Sequence, residues 1–371
     1  MQRAILQAVL KTHASNFNCD FLDAGANVYC LRIWGDKSGP YFNALHLAQG
    51  VGFLVAPILA ETVLPSAFES EMLESLNLSE NFQETLKLTM ESMPEVGEDF
   101  MLNPLQALYL SIGFTTLIVA ICFIVGIPAD LMPKEDEHAT ADKKNEEEKK
   151  KKPSAEKKDK QLVFGVVGTM MFYSFCSYGL SFAFGHFLTA FAVKGDLQLS
   201  PRDGARLTSF YYAAQVFVRG LNIFLVDRFM HFQIVVFSLG LVATGAFVLF
   251  AAPVYYGTAV GTVIVGLGTG SLFPMGLLYI QSKMRLSGKF TGLICLGASV
   301  GSQVFRFPAA AFIESVPMVH LYLLAFGCLA SCASFYSVYH LAEKREKFEN
   351  NLQAEFERAQ IKAQVSAAKL W

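Results

Sequence analysis

Charge is scarce in this chain. Of 371 residues, 17% are charged and 53% are hydrophobic, and the mean hydropathy is +0.37, whereas a soluble domain carries about a quarter of its residues charged. Metal-ligand spacings such as C-x-x-C and H-E-x-x-H are missing as well. Seven cysteines (Cys19, Cys30, Cys122, Cys176, Cys295, Cys328 and Cys332) show no disulfide framework; each lies in an apolar block, where a thiol behaves as a small hydrophobe. The net charge of −2 offers no broad basic surface for nucleic acid. The seven histidines are scattered without a catalytic cluster, so no enzyme is expected. Soluble-enzyme, nucleic-acid-binding and secreted-disulfide readings all fall away.

What is there is apolar sequence in blocks of about 20 to 30 residues, long enough to cross an apolar slab of ~30 Å at ~1.5 Å per helical residue. Eight spans follow: 41–62, 104–128, 162–190, 206–226, 233–252, 257–281, 290–313 and 317–341. A ninth, 14–34, carries Asn16, Asn18, Asp20, Asp23 and Asn27 among apolar residues. That polarity suits a helix lining a polar cavity, and a surface amphipathic helix is the alternative.

Orientation follows from Lys and Arg in alternate loops. With nine spans, one side receives 21 of them and the other six, with Arg32, Arg219 and Arg306 left out as intramembrane. The central loop and C-terminus are therefore expected in the cytoplasm and the N-terminus outside, which places the protein in a membrane, most naturally the plasma membrane. Segment 62–103 is then exterior. It holds nine acidic residues, one lysine and the sequon Asn77-Leu78-Ser79, a glycosylation candidate. Segment 129–161, with ten lysines and ten acids, cannot bury a core and reads as a disordered or fraying helical cytoplasmic linker, either a solvated tether or a binder of anionic lipid.

The expected organisation is a partial N-terminal bundle (1–128), the linker (129–161), a six-helix C-terminal bundle (162–341) and a tail (342–371). The tail carries Phe348, Leu352, Phe356, Ile361 and Val365 at near-helical spacing, as an amphipathic helix against lipid or a partner helix. Six spans after a long linker suit a carrier half, because many carriers pair two six-helix halves around a mid-membrane site.

Several motifs carry a family resemblance. Asp23-Ala24-Gly25-Ala26-Asn27-Val28, Trp34-Gly35-Asp36-Lys37-Ser38-Gly39-Pro40, Asn43-Ala44-Leu45-His46 and Ala56-Pro57 resemble the fourth and fifth helices of the sodium-dependent glucose transporter-like branch of the major facilitator superfamily. Arg219-Gly220-Leu221 resembles that branch's eighth helix, Phe273-Pro274 with Gly276 its tenth, and Gly288-Lys289 with Gly297-Ala298-Ser299-Val300-Gly301 its eleventh. The resemblance implies an all-α helical bundle whose nine spans are helices four to twelve of twelve, the first three being absent through an alternative start or an incomplete gene model. It implies alternating-access transport of a small polar solute, a hexose such as glucose, with Na+ as a coupling ion. A truncated, non-transporting interaction or regulatory protein is the other expectation.

Each candidate residue carries two readings. Asp23 and Asn27, four apart on one helical face, suit cation or sugar contact, or structural pairing. His46 suits a sugar hydroxyl or a neighbouring helix, and His186 cavity contact or packing. Arg219, with Asp227-Arg228 beyond it, resembles the superfamily's charged gating loop; snorkelling to the cytoplasmic surface is the alternative. Arg306 is expected to anchor or pair. Gly297 and Gly301 form a G-x-x-x-G packing pair, and Gly261, Gly266, Gly268 and Gly270 ahead of Pro274 suggest a hinge. By the register of Phe184-Gly185-His186, the branch's acidic residue in its seventh helix falls at Ser181, which leaves Asp23 as the candidate for cation coupling, with facilitated diffusion, which needs no such group, as the alternative.

Overall fold

A computed structural model describes residues 25–31, 33–63, 153–284 and 286–368. All the regular elements among the described residues are helical. Residues 25–31 are helical, and a 3-10 turn, Gly35–Lys37, leads into α1 (Ser38–Val63). Then follow α2 (Pro153–Lys194), α3 (Pro201–Leu225), α4 (His231–Ala251), α5 (Tyr255–Lys283), α6 (Gly288–Phe312) and α7 (Val319–Ala368). Described residues up to Leu54 and from Pro153 onward belong to one compact unit, and residues 55–63, the C-terminal end of α1, to a second. The expected span 104–128 and most of 14–34 lie outside the described residues.

Local chemistry sets the helix ends. Ser200 caps α3 by accepting the Asp203 N–H at 3.1 Å, Pro201 opens the first turn, and Asp203 pairs with Arg206 at 3.1 Å. Ser287 caps α6 in the same way, accepting from the Phe290 N–H at 3.4 Å.

Two elements run further than their apolar blocks. α2 begins at Pro153, so the last residues of the charged linker are already helical. α7 is one helix of 50 residues that absorbs the expected separate tail. Both extensions are held by charge. Lys283 at the end of α5 reaches Glu346 at 2.6 Å and Glu343 at 3.6 Å on α7. Arg345 of α7 reaches Asp159 of α2 at 3.4 Å and Glu349 of its own helix at 2.6 Å. Lys158 lies over the Phe348 ring at 5.1 Å.

Five helices, α2 and α4 to α7, are long and apolar enough among the described residues to cross a membrane. α3 is less apolar because one of its faces carries Gln215, Arg219 and Asn222, all buried. Its other face is apolar and exposed at Phe210, Phe217, Leu221 and Phe224. Polar inward and apolar outward is the arrangement a lipid-facing helix requires.

Glycines set the close crossings. A Cβ on Gly297 would stand 2.6 Å from the Met171 carbonyl oxygen, and one on Gly301 would overlap that of Phe175, so the G-x-x-x-G pair of α6 lies directly on the α2 backbone. The glycines ahead of Pro274 are packing surfaces in an unbroken α5: Gly266 and Gly270 against α3, Gly261 and Gly268 against α4. The apolar core is built mainly from α2 to α7, joined by Phe42 of α1 and Leu31, with Tyr173, Met170, Leu272, Met275 and Ile294 fully enclosed.

Candidate functional site

The most concentrated buried polarity is a stripe on α3: Tyr211, Gln215, Arg219 and Asn222, at i, i+4, i+8 and i+11. Tyr211 and Gln215 share one set of neighbours, and Arg219 and Asn222 each have their own. The Tyr211 hydroxyl donates to the Ser181 carbonyl at 2.8 Å, and the Ser181 and Thr269 hydroxyls each lie 3.1 Å from it. Gln215 Nε2 donates to Ser181 Oγ at 2.9 Å, to the Tyr211 oxygen at 2.8 Å and to Thr269 Oγ1 at 3.1 Å. α2, α3 and α5 are thus joined by an uncharged network in which Tyr211 and Gln215 of α3 bridge Ser181 of α2 and Thr269 of α5.

One turn along, Arg219 is 4% exposed and does not snorkel. Its Nη1 donates to the His46 carbonyl of α1 at 2.9 Å and its Nε to the Gly270 carbonyl of α5 at 3.3 Å. Both acceptors have a local cause. In an α-helix the Gly270 carbonyl is bonded by the N–H of residue 274, but Pro274 has no N–H, which frees that oxygen for Arg219. Beside His46, Gly50 provides the room: a Cβ there would come within 3.1 Å of Nη1. Further along, Asn222 Nδ2 donates to Ser271 Oγ at 2.8 Å.

α1 faces α3 with its own stripe. Gly39 packs on Val226, Leu47 on Gly220, and Gly50 on Val216 and Arg219, so the two helices run antiparallel in a fixed register. His46 Nδ1 lies 3.2 Å from Gln49 Oε1, Gln49 Nε2 donates to the Tyr178 hydroxyl at 3.2 Å, and the His46 ring stands edge-on to Phe42 and Phe273. Gln281 Nε2 donates to the Gly35 carbonyl at 3.1 Å and its Oε1 accepts from Ser38 at 3.3 Å, joining the other end of α5 to the start of α1.

The candidates read from the sequence are distributed unevenly over this seam. Asn27 and His46 are buried at 1% exposure, and Arg219 bridges α1 and α5. Asp227 and Arg228 are exposed in the turn after α3, away from Arg219. His186 is exposed, its Nδ1 3.1 Å from the Phe182 carbonyl of its own helix. Arg306 Nε donates to the Ser302 carbonyl at 2.6 Å, and its guanidinium lies over the Phe182 ring at 5.8 Å. Asp20, Asp23 and Asn77 lie outside the described residues. Tyr211, Gln215, Asn222 and Thr269 were missed from the sequence. The signal for three of them was present, as polar residues four and seven apart in an otherwise apolar span. Among the described residues no group of His, Cys, Asp and Glu is arranged to hold a metal ion.

A bundle of long apolar helices with polar side chains turned into its interior is a polytopic membrane protein. The family model described as Major Facilitator Superfamily matches residues 17–305, and the chain belongs to that superfamily. Sodium-dependent glucose transporter 1 of Xenopus laevis is 25% identical over 282 residues, covering 76% of this chain and 52% of that protein. Sodium-dependent glucose transporter 1A of Mus musculus is 26% identical over 318 residues, covering 84% of this chain and 69% of the relative. The chain thus spans between about half and two thirds of these relatives' lengths. Among solved structures, the E. coli fucose:proton symporter aligns at a TM-score of 0.46 and 13% identity, covering 92% of this chain and 86% of that one.

Proposed function

We propose that this chain transports a small, neutral, polyhydroxylated solute of the hexose class across a membrane by alternating access. The observation that carries the reading is the buried polar stripe of α3, placed where α1 meets α2 and α5. Hydroxyl and amide groups there can exchange their bonds to one another for bonds to sugar hydroxyls, and no charge has to be moved in doing so. Superfamily membership supports transport, and the names of the glucose-transporting relatives support the hexose class.

Sodium coupling is the second element of the proposal. Ser181 brings no carboxylate to the network, so in this reading cation contact belongs to Asp23. The protein sits in the plasma membrane with the linker and the α7 extension in the cytoplasm, and Asn77 on the outside is open to glycosylation.

Uptake of radiolabelled glucose by vesicles containing the purified chain, with and without a sodium gradient, tests the reading. Saturable uptake blocked by unlabelled glucose is expected, faster with sodium outside. Uptake no greater than in protein-free vesicles, from a chain shown to be folded and inserted, overturns it and favours a non-transporting role.

A further inference from the structure

Three buried acceptors lie along the α1–α3 seam. Asn43, His46 and Asn222 are 0%, 1% and 1% exposed. Asn43 Oδ1, His46 Nε2 and Asn222 Oδ1 have no hydrogen-bond partner among the described residues. The register set by Gly39 on Val226 and by Arg219 on His46 places Asn222 opposite Asn43, one turn from His46.

All three atoms accept. The Asn43 and Asn222 amide nitrogens already donate, to the Gly39 carbonyl at 2.8 Å and to Ser271 Oγ at 2.8 Å. His46 Nδ1 faces the Gln49 amide oxygen, which can only accept, so Nδ1 carries the proton and Nε2 presents a lone pair. The Arg219 guanidinium, bonded to the His46 carbonyl, makes the place unfavourable for a cation. With acceptors alone, it offers nothing to an anion. What fits is a neutral group with several O–H donors.

We infer that Asn43, His46 and Asn222 form an acceptor subsite for hydroxyl groups of a neutral polyhydroxylated solute, separate from the Ser181 network and close to the ends of α1 and α3 at Ser38 and Leu225. This rests on the transport reading. A consequence follows for the cycle: closing this seam without solute strands three acceptors, whereas closing it over solute hydroxyls satisfies them. Solute thereby favours the closed seam.

The test is thermal unfolding of the full chain in lipid nanodiscs, for wild type, Asn43→Leu and Asn222→Leu, without sugar and with glucose or its 2-, 3- and 6-deoxy analogues. Leucine has nearly the shape of asparagine and no acceptor. Without sugar each variant loses a stranded acceptor together with one amide donor bond, so both are expected to melt within a few degrees of wild type. With glucose, each is expected to show an apparent affinity at least about tenfold weaker, and at least one deoxy analogue is expected to bind wild type and variant equally. Variants that fold and keep the wild-type glucose affinity overturn the subsite. If glucose leaves wild-type melting unchanged, the hexose reading fails by itself. Mannitol and inositol then decide the subsite, and no shift with either also overturns it. The two positions lie on different helices, so misfolding of one variant leaves the other to decide.

Discussion

Arg219 holds the Gly270 carbonyl of α5 at 3.3 Å because Pro274 has removed that carbonyl's helical donor. A proline in one helix thus creates the acceptor for a cation on another. The same guanidinium reaches the His46 carbonyl, so three helices meet on one side chain, and they do so through backbone atoms whose positions the helices fix.

Replacing Pro274 by Ala restores an N–H that competes for the Gly270 oxygen. The helix gains, since proline costs about 3 kcal/mol in a helix interior, while the Arg219 bond weakens. Pro274→Ala is therefore expected to raise the melting temperature in detergent and to slow glucose uptake. A variant both more stable and equally fast would show that the freed carbonyl has no part in the cycle.

At Arg219 itself, Lys is expected to be a poor substitute. Its ammonium is a point charge without the planar fork that reaches two carbonyls on different helices. With charged hydrogen bonds contributing about 1.5–3 kcal/mol each, Arg219→Lys and Arg219→Ala are both expected to melt lower by several degrees. Full rescue by Lys would mean that charge alone matters here.

The Ser181 network predicts coupling between substitutions. Ser181→Ala and Gln215→Leu remove the two ends of one 2.9 Å bond, so the double variant is expected to lose less stability than the two single losses combined. Interaction energies of about 0.5–3 kcal/mol are usual for residues in contact. Denaturant melts of the four proteins measure the difference, and strict additivity would contradict the bond.

Glycine positions separate packing from propensity. Gly301→Ala is expected to be strongly destabilising, because its Cβ would overlap the Phe175 carbonyl. Gly240→Ala, with nothing within 4 Å of its Cβ, is expected to be neutral or to stabilise α4 by up to about 1 kcal/mol. Melting temperatures of the pair decide this, and similar losses at both sites would rule out the close crossing of α6 on α2.

The charged extensions should respond to salt. Lys283 and Glu346 are partly exposed, so Glu346→Gln is expected to cost less than about 1 kcal/mol and to matter less as salt rises. Arg345, whose side chain is 12% exposed and reaches two acids, is expected to matter more. Limited proteolysis of residues 342–368 reads both, and faster cleavage is expected in Arg345→Ala than in Glu346→Gln.

Much of the architecture was legible in the sequence because apolar block length is a local property. The spans 206–226, 233–252, 257–281 and 290–313 match α3 to α6 within a few residues. The extents of α2 and α7 were less legible, because their charged ends are helical through pairing with each other and with Lys283, which apolar patterning does not register. Arg219 stood out as a lone cation in an apolar block, but its partners did not. They lie 51 and 173 residues away and are backbone oxygens, which leave no signature in side-chain spacing. The sequence by itself determined a helical membrane protein and the lone cation Arg219 within one of its spans, since both follow from residue type and block length. Only the tertiary structure decided what the polar face of α3 meets: the α1–α3 register, the joining of Ser181 and Thr269 through Tyr211 and Gln215, and the release of the Gly270 carbonyl to Arg219. Those depend on which helices pack together, and packing is set by surfaces assembled from distant parts of the chain.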